Sequence, residues 1–367
     1  MKLINKKNLI IFFICVFFIF SACKDPIFFT ILIEPPKIEP KIKGSPTNFV
    51  LFNENMYVAS GKTLYYYRVN ETDGVYSSGG WNERYIGQNI GMLAASTSYL
   101  YMMCLTDHNK SVTREILRMD TAGSIAPIPP IPGDYTIVQS IYEANNSLYI
   151  GAQNSEKAYY IHELDSSGVF KDTGIHYALS GAAYNGSVFL CTNSGIFNNG
   201  ILIGSASVFC SMINLGGGIA AITENGYLYK VEASGLSEIA NLGSRNATGA
   251  LTIWEGSSSA EKLLLVGKKD VGASLSSGYT YGYSEIVIDG NWILEGAGFK
   301  EPGFDPPTSV DDNQRYSSSL GVLAVNHMYQ TKDKRIFAAT HKDGVWSYKE
   351  RNDGTGTIRF MWNAEDD

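Results

Sequence analysis

Histidine and acidic side chains are the groups in this chain that could bind a metal or carry acid–base chemistry. The five histidines are His108, His162, His176, His327 and His341. No two of them have the spacing of zinc ligands, since even the last pair lies 14 residues apart. The acidic pair Asp311-Asp312 lacks the alternating pattern of a calcium loop. We therefore expect structural or surface histidines, and neither a metal nor a cofactor.

Enzyme signatures are also missing from the sequence. It contains no Gly-x-Ser-x-Gly nucleophile elbow, no phosphate-binding glycine-rich loop and no sialidase Asp-box. The triplet Gly216-Gly217-Gly218 precedes an apolar segment and indicates a turn. We expect no catalytic residues. An envelope glycan hydrolase or lyase stays open as an alternative, because its paired carboxylates could come from distant segments of the chain.

Three cysteines lie in the body of the chain. Cys104 belongs to an apolar strand pattern, 101–105, and we expect it to be a small buried side chain. Cys191 and Cys210 could form a disulfide in an oxidising compartment, but their spacing does not decide this. That pairing stays open.

The elements that would position any site form a repeat. From Phe49 onward, two apolar strands joined by a short polar turn recur at intervals of 36 to 49 residues, with a final interval of 73. The strand pairs are 49–52 with 56–59, 92–95 with 99–102, 141–142 with 148–150, 181–184 with 188–190, 219–222 with 227–229, 251–254 with 263–266, and 322–325 with 336–339. Intervals near 40 with room for four strands are typical of propeller blades.

The repeat predicts an all-β fold, a β-propeller of seven blades. An eighth blade is possible, since residues 268–320 contain either a long insertion or a degenerate blade. A β-sandwich or two stacked β domains is the alternative architecture. The pairs Asn185-Gly186 and Asn225-Gly226 predict type I′ hairpins, in which both central residues need positive φ.

Several second strands continue into a recurring pattern. Residues 337–348 contain an apolar strand ending in Thr340, a turn with Gly344, and then the pair Val345-Trp346. Residues 189–197 and 57–65 match this pattern in part. The pattern resembles the repeat of two-component-regulator-type β-propellers. The resemblance implies the propeller architecture and says little about activity.

The N-terminus has the organisation of an export signal. Lys2, Lys6 and Lys7 precede an apolar run, 9–20, which is shorter than the roughly 20 residues of a membrane-spanning helix. The sequence Phe20-Ser21-Ala22-Cys23 resembles the bacterial lipobox. That resemblance implies cleavage before Cys23 and lipid attachment to its thiol. An ordinary cleaved signal and an uncleaved anchor are the alternatives.

The predicted domains follow from this signal. Residues 1–22 are the signal peptide, 23–47 are the lipidated N-terminus and a proline-rich tether, and 48–367 are the propeller. Cleavage removes three lysines and leaves 26 basic against 36 acidic residues, a net charge of −10. Such a surface disfavours nucleic acid, whose binding requires neutralised phosphates. The lipid, rather than a basic patch, would attach the protein to the membrane.

Two segments are candidate binding loops. The long loop 296–319 carries the aromatic residues Phe299, Phe304 and Tyr316. The segment 77–85 carries Trp81, Arg84 and Tyr85, side chains that can anchor interfaces.

The sequence therefore predicts a lipoprotein of the bacterial cell envelope, on the periplasmic side or the surface. Its propeller would be a non-enzymatic module that binds an unidentified protein or small ligand. An envelope assembly scaffold is the other alternative besides the glycan enzyme.

Overall fold

The protein is built from four-stranded antiparallel sheets. A computed structural model describes residues 40–365 except 73–74, 109–110, 177, 206–207, 243–246, 257–261, 269–281, 297, 300–319, 321–322 and 353–357. These described residues form seven sheets, each with its strands in chain order, arranged in a ring as the blades of a β-propeller. The prediction of an all-β, seven-bladed propeller is confirmed. The described residues contain no helix long and apolar enough to cross a membrane.

The first four blades take up a little under half of the chain. Blade 1 contains β1 (Val50–Phe52), β2 (Asn55–Ser60), β3 (Thr63–Thr72) and β4 (Val75–Tyr85). Blade 2 contains β5 (Asn89–Ala95), β6 (Tyr99–His108), β7 (Ser111–Asp120) and β8 (Ile125–Pro127). Blade 3 contains β9 (Tyr135–Ala144), β10 (Ser147–Asn154), β11 (Tyr159–Leu164) and β12 (Phe170–Asp172). Blade 4 contains β13 (Ala178–Tyr184), β14 (Ser187–Thr192), β15 (Ile196–Asn198) and β16 (Ile201–Gly204).

The remaining three blades follow in the same way. Blade 5 contains β17 (Phe209–Asn214), β18 (Ile219–Thr223), β19 (Tyr227–Glu232) and β20 (Gly235–Asn241). Blade 6 contains β21 (Ala247–Glu255), β22 (Lys262–Lys268), β23 (Tyr283–Asp289) and β24 (Trp292–Ile293). Blade 7 contains β25 (Val325–Gln330), β26 (Ile336–Thr340), β27 (Val345–Asn352) and β28 (Ile358–Ala364).

The direction of the strands sorts the connections onto two faces. The first strands of neighbouring blades contact one another and are therefore innermost. Because successive strands are antiparallel, every blade-to-blade connection and every turn between second and third strands begins and ends on one face, which we call the loop face. The turns within the other two hairpins of each blade lie on the opposite face. The two longest connections, 269–281 and 294–324, begin and end on the loop face.

An apolar cluster fills each of the seven junctions between neighbouring blades. The cluster between the last and first blades contains Phe337, which packs on Tyr67 and Trp81 at ring-centroid distances of 4.9 and 5.4 Å. Full burial of one large apolar side chain stabilises a fold by roughly 1.5–3 kcal/mol. The ring is therefore closed by the same kind of contact that joins its other blades.

A short N-terminal segment, residues 40–47, also joins blades 7 and 1. We call it the clasp. Its Lys41 N–H donates to the carbonyl of Glu365 at 2.6 Å, and its Ile42 carbonyl accepts the N–H of Val345 at 3.1 Å. The Ile42 side chain is completely buried in the apolar cluster between blades 7 and 1, which we call the closing cluster. Since all four strands of blade 7 come from the C-terminal part of the chain, the clasp replaces a shared strand as the closing element.

The clasp takes up the end of the predicted tether, 23–47, and the tether itself stays a prediction. Residues 40–47 are packed on the propeller rather than extended away from it, and Thr47 donates its N–H to the carbonyl of Ala59 at 2.8 Å. The prolines of this segment favour an extended backbone, which here lies against the body of the fold. Residues 1–39 lie outside the described residues.

The predicted turns are right in blade 4 and wrong in blade 5. Asn185 and Gly186 have φ of 50° and 77°, as a type I′ hairpin requires, whereas only Gly226 of the second pair has a positive φ. The pair 219–222 with 227–229 forms the second and third strands of its blade rather than the first and second. Its first strand is β17, which reaches β18 through the glycine triplet.

The final interval, of 73 residues, is long because of blade 6. Strands β23 and β24 lie in the part of the chain where an eighth blade was possible, and they complete the sixth sheet. Among the described residues, every strand belongs to one of the seven blades. The extra length lies in the two long connections of the loop face.

Candidate binding groove on the loop face

A groove of about 430 Å³ opens on the loop face between blades 2 and 3. We call it the interblade groove. Blade 2 supplies Arg114 and Ile116 from β7, and blade 3 supplies Tyr135 and Val138 from β9. The connection between the blades, residues 127–133, forms the remaining wall. This volume is in the usual range for small-ligand sites.

The connecting wall has an unusual hydrogen-bonding character. Pro129, Pro130 and Pro132 have no N–H, so the five residues 129–133 carry five carbonyl acceptors but only two backbone donors. None of these carbonyls accepts a hydrogen bond from the described part of the chain. Pro129 and Pro130 are exposed. The wall therefore offers a ligand apolar pyrrolidine rings and hydrogen-bond acceptors.

Tyr135 is held in place by the residues around it. Gly133 has φ of 104°, and a Cβ at this position would lie 2.8 Å from Cε2 of the Tyr135 ring. Only glycine fits here, both because of the left-handed backbone and because the ring passes so close. On its other side Tyr135 meets the ring of His162 at 4.5 Å in an edge-on arrangement.

The aromatic cluster continues behind Tyr135. Tyr160 lies 6.0 Å from Tyr135 and 4.9 Å from His176. His162 is only 4% exposed, and burial lowers the pKa of its imidazole. Its Nε2 has no hydrogen-bond partner among the described residues. The imidazole of His162 and the ring of Tyr160, itself packed on His176, thus support the Tyr135 ring that lines the groove.

Arg114 is the cation of the groove. Its Nη1 donates to the carbonyl of Val138 at 2.8 Å and to Oε1 of Gln139 at 2.9 Å. Both acceptors are neutral, and no carboxylate pairs with Arg114 within the described ranges. The next residue, Glu115, also lines the groove, but its carboxylate accepts a hydrogen bond from Gln88 and makes no ion pair with Arg114. The positive charge of Arg114 therefore has no carboxylate partner among the described residues and can interact with a ligand in the groove.

The opposite face has a second pocket whose charges are paired. It lies between blades 6, 7 and 1 above apolar side chains that include Leu51. Lys334 contacts Glu255 at 2.7 Å, and Lys332 contacts Glu54 at 3.6 Å. Exposed ion pairs of this kind satisfy each other and contribute about 0–1 kcal/mol each. The four charged side chains that line this pocket are therefore all paired.

The predicted loop 77–85 is wrong. These residues belong to β4, because the glycine pair 79–80 bends a long strand at a register shift instead of ending it. Trp81 is 5% exposed and packs edge-on against Phe337, so its ring is part of the closing cluster. Arg84 donates through Nη1 to the carbonyl of Gly123 on blade 2 at 2.8 Å. Tyr85 is 70% exposed, and its role in binding stays a prediction.

Most of the other predicted site residues lie outside the described part of the chain. Cys23, Phe304 and Tyr316 lie outside the described residues. Phe299 is half-buried and packs against the cluster between blades 5 and 6. The described residues bring none of these side chains to the interblade groove.

The body cysteines remain thiols, with no disulfide between Cys191 and Cys210. Cys104 and Cys191 are completely buried. Burial raises the pKa of Cys104 to about 12 and raises the pKa of Cys191 strongly. The described residues also contain no group of three histidine, cysteine or acidic side chains that could hold a metal ion.

Comparison with known proteins identifies the fold alone. No family model and no curated protein matches the chain. The extracellular domain of a proposed hybrid two-component system from B. thetaiotaomicron is 14% identical with a TM-score of 0.51, and the match covers 84% of this chain but 38% of that one. A proposed 6-phosphogluconolactonase from Bacteroides uniformis is 12% identical with a TM-score of 0.50, covering 89% and 96%. The chain thus spans well under half of the first protein, and at these identities both likenesses show a shared propeller fold.

Proposed function

We propose that this chain is a cell-envelope lipoprotein whose propeller binds a ligand without transforming it. Lipid on Cys23 holds it to a bacterial membrane, and the interblade groove on the loop face is its recognition site. The observation that carries the proposal is Arg114, a half-buried cation with only neutral partners, beside the half-buried ring of Tyr135 in an open groove. A group of this kind recognises an anionic partner more strongly than a solvated surface charge would.

The envelope location has its own support. The basic, apolar and small-residue parts of the N-terminus are arranged as in an export signal, and Cys23 stands where a lipobox places its modified thiol. One chain of similar fold is an extracellular domain. Two or three acyl chains would hold a protein of net charge −10 on a membrane without a basic patch.

A labelling experiment tests the anchor. Cells expressing the full chain are fed an alkyne fatty acid, and the protein is isolated and examined for incorporated label. We expect the label in the native protein and in Cys210→Ala, and none in Cys23→Ala. Labelling that survives Cys23→Ala would remove the lipid from the proposal.

An array experiment tests binding and separates it from catalysis. Detergent-solubilised full-length protein is applied to arrays of bacterial glycans and of peptides, and bound ligands are analysed by mass spectrometry. We expect retention of one ligand class, at least about tenfold weaker for Tyr135→Ala and unchanged for Tyr99→Ala, a half-buried tyrosine at the other end of blade 2. New chain ends in the bound ligand would favour the glycan enzyme, and retention of neither class would contradict the binding function.

A further inference from the structure

We propose that the interblade groove binds an acidic saccharide of the uronic-acid type, with its carboxylate on Arg114 and its sugar ring on Tyr135 and the proline wall. This proposal rests on the binding function above and names its ligand class. Three features of the groove support the proposal. They are the unpaired positive charge of Arg114, the excess of carbonyl acceptors over N–H donors in the wall, and the rigid apolar surface of Tyr135 and the prolines.

The first feature is the charge of Arg114. Its Nη1 is used by Val138 and Gln139, and its Nε is buried without a partner. The remaining Nη2 makes no hydrogen bond with the described residues and is not among the buried unsatisfied atoms. A planar guanidinium fixed by two neutral acceptors is prepared to bind a carboxylate oxygen through that free edge. The ligand should therefore be an anion.

The second feature separates a sugar from a peptide. The lining residues 129–131 and 133 carry four carbonyl oxygens that accept no hydrogen bond from the described residues, and at most two N–H groups. A peptide backbone brings one donor and one acceptor per residue, so many of its own carbonyls would lose their water without replacement. A sugar hydroxyl donates and accepts through the same oxygen, so it can donate to a wall carbonyl while that oxygen still accepts from water. A polyhydroxylated ligand therefore matches this wall, and a peptide does not.

The third feature is the apolar lining. Tyr135 is fixed between Gly133 and His162, so its ring loses little conformational freedom when a ligand binds. The pyrrolidine rings of Pro129 and Pro130 are exposed beside it. Rigid surfaces of this kind can cover the C–H face of a sugar ring, while its edges bear the hydroxyls and the carboxylate.

Titration calorimetry of the full-length protein in detergent tests the proposal. The probes are tri-galacturonic acid, the neutral galactotriose of the same linkage, and a proline-containing pentapeptide with a free C-terminal carboxylate. We expect the acidic trisaccharide to bind at least about tenfold more tightly than either other probe. Arg114→Gln should remove that preference, and Arg118→Gln should keep it, because Arg118 lies on the same face of β7 but covers Tyr99 at 4.7 Å.

A second pair of variants guards against a structural effect at Arg114, whose guanidinium also joins the two blades. Pro130→Glu places a negative charge at the exposed wall and leaves the contacts of Arg114 intact, with Pro130→Gln as its uncharged control. We expect Pro130→Glu alone to weaken the acidic trisaccharide by about tenfold or more, with no change in thermal unfolding.

The outcomes separate this proposal from the proposed function. Equal affinity for galactotriose, or tighter binding of the pentapeptide, would overturn the ligand class and leave a binding groove. Retention of other array ligands that depends on Tyr135, without measurable binding of tri-galacturonic acid, would do the same. Failure of every probe and both arrays would overturn the ligand class and the binding function together.

Discussion

Nδ1 of His327 accepts the backbone N–H of Phe49 at 3.2 Å, across the junction where the last blade meets the first. The two rings also pack at a centroid distance of 5.9 Å. Only a neutral imidazole can accept this hydrogen bond, because both ring nitrogens of the protonated form are donors. Burial lowers the pKa of His327 to about 4. The closing junction therefore depends on a histidine that stays neutral.

Acid should weaken this junction. Since the unfolded chain takes up a proton near pH 6.5 and the folded chain only near pH 4, unfolding is favoured as the pH falls through this window, by up to about 1.4 kcal/mol per unit. Above pH 6.5 His327 should contribute no pH dependence. Urea unfolding at pH 7 and pH 4.5 should show a loss about 2 kcal/mol smaller in His327→Gln than in the native protein. His341→Gln, at an exposed position of blade 7, should behave as the native protein does. Identical losses in all three proteins would refute the prediction.

Trp81 should be important for stability. Removing its buried ring leaves a cavity beside Phe337, so Trp81→Ala should lower the free energy of unfolding by about 3–5 kcal/mol. Tyr85→Ala, four residues along the same strand and 70% exposed, should change it by less than about 0.5 kcal/mol. Chemical denaturation measures both. A small effect of Trp81→Ala would mean that its ring is not part of the closing cluster.

Gly181 is required by its neighbour. A Cβ there would lie 2.9 Å from two atoms of the Tyr142 ring, which itself stacks on Tyr149. Gly181→Ala should therefore cost about 1–3 kcal/mol through overpacking. Gly235→Ala is the matched control, since nothing lies within 4 Å of its Cβ position and its φ is not positive. Thermal unfolding should separate the two variants, and equal melting temperatures would contradict the predicted packing.

The three body thiols should differ in reactivity. A thiol reacts as its thiolate, and burial raises the pKa of Cys104 to about 12 and that of Cys191 still further. Cys210 is half-buried. Iodoacetamide at pH 8 should modify Cys210 at least about tenfold faster than the other two, as measured by peptide mapping. In urea the three rates should converge. Equal rates in the native protein would mean that blades 4 and 2 open readily.

Local chemistry explains which parts of the fold could be predicted. Asn185-Gly186 determines its hairpin through its own backbone preference, and the apolar strands that flank it repeat often enough to reveal blades. The triplet 216–218 also forms a hairpin turn, but glycines alone do not show which two strands they join. The predicted first and second strands of blade 5 are therefore its second and third strands in the structure. Likewise the pair 79–80 has the composition of a loop, and pairing with β3 on both sides of it is what keeps it inside a strand.

The groove depends on contacts that no local pattern encodes. Arg114 and Val138 are 24 residues apart and belong to different blades, so their hydrogen bond follows from how the blades pack. One signal was present in the sequence: the run 127–133 contains four prolines and a glycine, and it falls between two blades. A connection that cannot form a strand but is rich in apolar rings is a reasonable place to look for a ligand.

The clasp also decides how the fold would bear mechanical load. Its backbone runs parallel to the chain at Asp343, where Gly44 accepts the N–H of Gly344 at 2.8 Å. Among the described residues, the hydrogen bonds of the clasp are the first that follow the N-terminal end of the chain, the end that the proposed lipid would fix to a membrane. Tension on the proposed anchor would therefore act first on the hydrogen bonds between the clasp and blade 7, at the junction that closes the ring.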